Sequence, residues 1–161
     1  MRKIIAVSLL IALILFSGCS TYLSNLTAAK HNREIGEQVV FEKEGKTFTA
    51  VIRKVDPQSS SSRLTGVRVN IWVKNTGKEA VSLMAYPRLE DKDGNQYPCN
   101  GNGIYLNMLN PGGQAAVDAT IPVPTDEAAA SLSNHAVLYV RFQDTKLIPY
   151  EGAWNVNLSR S

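Results

Sequence analysis

The sequence predicts an all-β protein, an antiparallel sandwich with one short helix. Three observations carry this. Apolar and polar residues alternate at period two, most clearly Val67, Val69, Ile71 and Val73 against Arg68, Asn70, Trp72 and Lys74. That is the pattern of a strand buried on one face. Turn-forming clusters punctuate the chain at short intervals, including Glu44-Gly45, Asn75-Thr76-Gly77, Asp93-Gly94-Asn95 and Asn110-Pro111-Gly112-Gly113. Only Thr125 to Asn134 reads as a helix, with Asp126 and Glu127 placed favourably for its dipole. Strands separated by turns, with almost no helix, pack as two facing sheets.

Ahead of the strands, Arg2 and Lys3 precede an apolar run from Ile4 to Phe16, broken only by Ser8. That run suits a helical secretory signal segment and is short for a transmembrane span. Small residues follow, Ser17 and Gly18, and then Cys19. Phe16-Ser17-Gly18-Cys19 resembles the lipoprotein signal of bacteria and archaea, with Phe16 where leucine is commonest. The resemblance implies cleavage between Gly18 and Cys19 and a diacylglyceryl thioether on Cys19, with palmitate-like chains holding the protein at a membrane. An ordinary secretory signal with an incidental cysteine, or an uncleaved anchor, is the alternative. The covalent lipid is the one expected cofactor. In didermal bacteria Ser20, lacking the Asp that resembles an inner-membrane retention signal, points to the outer membrane; elsewhere it decides little.

The expected organisation is a signal at 1–18, a lipidated cysteine with polar tether at 19–36, and a sandwich at 37–160. Cleavage leaves 143 of 161 residues, enough for one domain with a real core. The first 18 residues hold two basic and no acidic side chains, so the net charge falls from +3 to +1. Nothing in that balance suggests a nucleic-acid face. With Cys19 acylated, Cys99 is single, and paired-cysteine metal sites are excluded by count.

Ser20 to Gly36 is polar, with a possible helical turn near Ala28 to Glu34. Asn25-Leu26-Thr27 and Asn157-Leu158-Ser159 fit the N-glycosylation sequon. Gln38 to Glu42 and Lys46 to Val55 read as strands, followed by an exposed loop at Asp56-Pro57-Gln58 and Ser59 to Ser62. Leu64 to Lys74 is a strand, as is Glu79 to Leu89. Asp93-Gly94 marks a hairpin, because its turn needs positive φ. Ile104 to Leu109 pairs briefly, and Ala115 to Ile121 is a strand ended by Pro122 and Pro124. Ala136 to Phe142 and the alternation Trp154, Val156, Leu158 complete the set.

The order of these pieces carries a second resemblance. An apolar strand runs into Lys74-Asn75-Thr76-Gly77-Lys78-Glu79, then Leu89-x-Asp91-x-Asp93-Gly94-Asn95-x-Tyr97, then Leu109-Asn110-Pro111-Gly112-Gly113. A strand, a Val123-Pro124 step and the apolar strand Val137 to Phe142 follow. From Val67 to Phe142 the chain resembles a telokin-like, immunoglobulin-like domain-of-unknown-function family of bacterial and archaeal surface lipoproteins. The resemblance implies an immunoglobulin-like sandwich outside the cytoplasm and carries no site residue with it.

Asp91, Asp93 and Asn95 fall at positions one, three and five of an EF-hand-like loop. Positions six and twelve are Gln96 and Asn102, where an EF-hand needs Gly and Glu. A hairpin turn is the expected role, with a weak calcium site as the alternative. Cys99 with His135 as base has no activating motif or third orienting residue. His31 lies in the tether, so a histidine metal site is not expected. Trp72 either packs over long neighbouring side chains or stacks on a ligand. Trp72, Tyr139 and Arg141 form an interaction surface if their strands are neighbours, since such residues anchor interfaces.

No catalytic constellation emerges, and the chain reads as a non-enzyme. The expected function is a lipid-anchored extracytoplasmic binding module of the cell envelope. Its partners are the membrane, through the anchor, and an envelope protein or surface polymer, not nucleic acid. A structural or assembly subunit of an envelope complex is the alternative; a hydrolase or calcium-dependent binder built on Cys99, His135 or the Asp91 loop stands behind it.

Overall fold

A computed structural model describes residues 33–101 and 103–159. Gly18, Cys19, the Asn25 sequon, His31 and most of the expected tether lie outside these residues. Among the described residues the chain order is β1 (Gln38–Lys43), β2 (Lys46–Ser60), β3 (Arg63–Asn75), β4 (Val81–Asp91), β5 (Gln96–Pro98), β6 (Ile104–Leu109), β7 (Gln114–Pro122), α1 (Asp126–Asn134), β8 (Ala136–Asp144) and β9 (Pro149–Val156).

One sheet runs β1-β2-β3-β7; the other runs β5-β4-β8-β9, with β6 beside β5 along the same edge of β4. All these pairings are antiparallel. The crossovers, β3 to β7 in one sheet and β4 to β8 in the other, give the connectivity of an immunoglobulin-like sandwich. The predicted fold class is therefore the observed one.

Period-two burial builds the core. Val67, Val69, Ile71 and Val73 of β3 are fully buried against Leu83, Ala85 and Leu89 of β4 and Leu138, Val140 and Phe142 of β8. Burying each large aliphatic side chain contributes roughly 1.5–3 kcal/mol. Aromatic rings close one end: Phe48 lies 5.0 Å from Phe41, 5.5 Å from Phe142 and 4.9 Å from Tyr150. Trp154 is wholly buried, and its Nε1 donates to the Glu37 carbonyl at 3.2 Å. Helix α1 starts where Thr125 accepts a hydrogen bond from the Ala128 N–H at 3.2 Å, and it buries Ala128, Ala129 and Leu132.

Two expectations change. The chain stays extended through Pro57 to Ser60, paired with β3, instead of looping out after Val55. β1 stops opposite Val51, so β2 is an edge strand beyond that point, and an edge tolerates proline. Only Ser61 and Ser62 turn, with φ of 47° and 72°. The folded unit also includes residues assigned to the tether. Arg33 bridges Trp154 in parallel, donating to the Ala153 carbonyl and accepting from the Asn155 N–H.

Candidate functional site

The central strand pair of the second sheet, β4 and β8, places three rows of side chains on its outer face. Met84 lies opposite Gln143, Tyr86 opposite Arg141, and Arg88 opposite Tyr139. β9 adds Glu151 opposite Arg141. The Arg88 guanidinium sits 4.7 Å from the centre of the Tyr139 ring. It also donates to Glu151, Nη1 to Oε2 at 2.8 Å and Nη2 to Oε1 at 3.4 Å. Arg88, Tyr139 and Glu151 therefore form one locked group. Arg141 is exposed, and among the described residues its side chain has no hydrogen bond, ion pair or ring contact.

Around Arg141 runs a groove of about 530 Å³, lined by Tyr86, Arg88, Gln96, Cys99 and Glu151 among others. A hollow of about 160 Å³ adjoins it, walled by Met84, Tyr105 and Leu147 and sharing Tyr86 and Gln143 with the groove. Tyr105 is 57% exposed and Leu147 71% exposed. Leu147 sits at φ 61°, a conformation leucine rarely adopts. Gly103 backs the Tyr86 ring so closely that a Cβ there would lie 2.5 Å from the ring. The Tyr86 ring thus packs against a backbone position, at φ 91°, that suits glycine alone.

A larger hollow of about 810 Å³ lies beside α1, lined by Pro57, Arg63, Asp126 and Leu158 among others. Its cation is already used. Arg63 pairs with Asp126 at 2.8 Å and donates to the Pro124 carbonyl at 2.6 Å, which latches the helix to β3. The groove at Arg141 offers an unused charge and is the stronger candidate.

The surface expected from Trp72, Tyr139 and Arg141 divides. Trp72 lies on the outer face of the first sheet, on β3, and the other two lie on the opposite face of the sandwich. Trp72 is half-buried and carries the Arg53 guanidinium 4.8 Å from its ring centre, so it packs against a long side chain. Tyr139 is only 8% exposed, because Arg88 covers it. Burial also raises its phenol pKa. Of the three, Arg141 alone is exposed and free of a stacking partner.

The acidic turn is a hairpin turn built around a buried carboxylate. Asp91 Oδ1 accepts the N–H groups of Asp93 and Asn95, each at 2.9 Å. Its Oδ2 accepts from Asn95 Nδ2 at 3.0 Å and from the Tyr97 hydroxyl at 2.9 Å. Four donors fill about four lone-pair sites. No acceptor capacity is left for calcium, and Asn95 turns a donor, not an oxygen, toward Asp91. Asp93 points outward, paired with Lys92. Among the described residues no group of three or more His, Cys, Asp or Glu side chains could hold a metal ion.

Cys99 and His135 are not brought together. The Cys99 N–H bonds to Pro87, which pairs with Val140. His135 caps the C-terminus of α1, five residues before Val140 in the chain. That is roughly 15 Å along a strand, too far for proton transfer. Burial pushes the Cys99 thiol up, away from an activated thiolate. Asn157, of the second sequon, is exposed. Sequence reasoning missed Tyr86, Arg88, Gln143, Leu147 and Glu151. The outward phase of β4 was visible, but its pairing with β8 was not.

No known protein-family signature matches the chain, and no curated protein matches it. Among solved structures, β-glucosidase 3B from Thermotoga neapolitana aligns at a TM-score of 0.40 and 20% identity, over 73% of this chain and 17% of the enzyme. The chain thus spans a small part of that enzyme. The yjhA protein of Bacillus subtilis aligns at 0.43 and 16%, over 76% of this chain and 98% of its own. The secreted protein MPT63 of Mycobacterium tuberculosis aligns at 0.47 and 8%, over 78% of this chain and 96% of its own. Likenesses this distant carry no argument about activity or partner.

Proposed function

We propose that this chain is a lipid-anchored, extracytoplasmic binding module of the cell envelope, related to the telokin-like surface lipoproteins it resembles. Cys19 carries the lipid after cleavage at Gly18, and the outer face of the second sheet meets the partner. The observation that carries the binding role is the groove around Arg141, a guanidinium left without a partner beside a fixed tyrosine. The anchor rests on the pattern Phe16-Ser17-Gly18-Cys19 behind a basic start and an apolar run. Anchoring near a membrane raises the effective concentration of the groove toward other membrane components.

Fractionation and labelled-palmitate incorporation of wild type and Cys19→Ser test the anchor. Wild type is expected in the membrane with label, and Cys19→Ser unlabelled and unprocessed at Gly18. A Cys19→Ser chain that is still cut there and still labelled refutes it. A role as an assembly subunit is the second reading, favoured by edge strand β1, where Val40 is 65% exposed. A stoichiometric partner that co-purifies from mildly solubilised membranes and is lost on Val40→Lys supports that role instead.

A further inference from the structure

The groove has two chemically different ends on successive outward rows of the sheet, Tyr105, Met84 and Gln143 in one and Tyr86 and Arg141 in the next. The hollow of about 160 Å³ at Met84, Tyr105 and Leu147 is apolar-walled. A cavity of about 150 Å³ is enough to hold benzene, so this one accepts a group the size of a leucine or phenylalanine side chain. Arg141 is the other end. Gln143, at the hollow, and Arg141 are two residues apart on β8, a separation of about 7 Å on one face of the strand. Side chains at i and i+2 of any extended peptide share that spacing and that common face.

A strand laid along β8 therefore sets one side chain in the hollow and the next on the same side against the guanidinium. The neighbouring acid does not oppose a carboxylate there, because Glu151 is neutralised by its two bonds to Arg88. Tyr86, packed against Gly103, lines both ends. Leu147 supports the same assignment. Asparagine or glycine would take φ 61° with less strain, so leucine is explained by what its exposed side chain does at the rim. A saccharide would use Tyr86 and Arg141 and leave this apolar rim unfilled.

We propose that the outer face of the second sheet binds an extended peptide segment of an envelope protein, one with an apolar side chain two residues from an Asp or Glu. The inference rests on the binding role above and names its ligand class. The apolar side chain enters the hollow at Met84, Tyr105 and Leu147, and the carboxylate pairs with Arg141 in a two-pronged fashion.

The test is a fluorescence-anisotropy titration of the wild-type protein solubilised in a mild detergent, with capped, labelled peptides. Ser-Leu-Thr-Glu-Ser puts both groups on one face. Ser-Leu-Glu-Thr-Ser puts them on opposite faces, and Ser-Leu-Thr-Gln-Ser removes the charge. Saturable binding of the first is expected, weakened on the order of tenfold or more in the other two. The same loss is expected for the first peptide with Arg141→Gln and with Leu147→Asn, both surface changes that do not lower the melting temperature. Equal binding of all three peptides, no saturable binding of the first, or an unaltered Arg141→Gln chain overturns the proposal. So does Arg141-dependent binding of oligogalacturonate without binding of the peptide, which reassigns the groove to an acidic glycan. The titration is free of membrane and reads the groove alone, whereas palmitate labelling of wild type reads the anchor alone.

Discussion

Replacing Asp91 by Asn tests whether the hairpin turn stands on one buried carboxylate. The amide keeps an oxygen for the N–H groups of Asp93 and Asn95. It puts an NH₂ where Oδ2 accepted from Asn95 Nδ2 and the Tyr97 hydroxyl. Tyr97 can rotate its hydroxyl and accept; Asn95 then faces another donor. Hydrogen bonds to a charged group are worth about 1.5–3 kcal/mol each, so losing one and weakening the rest costs about 2–4 kcal/mol. For a domain of this size that lowers the melting temperature on the order of 10 °C. The pH dependence sharpens the test. Burial alone would raise the Asp91 pKa, but the bonds from Asn95 and Tyr97 outweigh it and hold the carboxyl well below its ordinary range. A depressed folded-state pKa gives stability that is present above the unfolded value, near pH 4, and lost as pH falls toward the folded one. Thermal melts followed by circular dichroism from about pH 7 to about pH 3 should therefore show the gap between wild type and Asp91→Asn narrowing with acid. A gap that stays constant, or a variant melting within about 1 °C of wild type at neutral pH, refutes the reasoning. A calcium-dependent rise in the wild-type melt that Asp91→Asn abolishes would show that the carboxylate has acceptor capacity to spare.

Gly152→Ala places a methyl group 2.6 Å from Cη2 of the buried Trp154 ring. Such overpacking destabilises by about 1–3 kcal/mol, read as a lower melting temperature with altered tryptophan fluorescence. Ser62→Gly relieves a serine at φ 72° in the β2–β3 turn. A gain of about 0.5 kcal/mol remains after glycine's extra unfolded-state entropy, measurable as a higher urea midpoint at constant slope. Cys99, its pKa raised by burial, should react with iodoacetamide at about pH 8 more slowly than a cysteine in a short peptide, and reach the peptide rate in denaturant.

What was legible in the sequence is what depends on near neighbours. Every apolar residue in the β3 alternation is buried, because strand period and burial period are the same. The Asp93-Gly94 turn forms with Gly94 at φ 82°. Features that depend on strand pairing were not legible. Pro57 and four serines read as a loop, yet pairing with β3 keeps the strand going to Ser60. Tyr139 was expected to share an interaction surface with Trp72 and Arg141, and it is covered by Arg88 from another strand. Arg88 and Glu151 are 63 residues apart in sequence, and no local pattern announces their bond. Trp72 and Arg141 could be placed on opposite faces only once β3 and β8 were known to belong to different sheets.

The buried acids at the strand ends and the groove between them belong to one design. β4 and β8 pair over nine residues, from Leu83 opposite Asp144 to Asp91 opposite Ala136. Each end holds a buried aspartate that closes the following turn in the same way, accepting the N–H groups two and four residues on. For Asp144 these are Lys146 and Ile148, at 2.9 and 3.0 Å, with Lys46 on the second oxygen. The register is thus clamped at both ends. A slip by one residue would turn Val140 and Phe142 outward and carry Arg141 and Gln143 into the core. The two carboxylates therefore fix which side chains face the groove although neither touches it. Burial alone would raise the pKa of Asp144, as of Asp91, yet hydrogen bonds lower both below the ordinary range. Acid therefore works against both clamps, and the register that turns Arg141 toward the groove loses stability as pH falls below the ordinary carboxylate range.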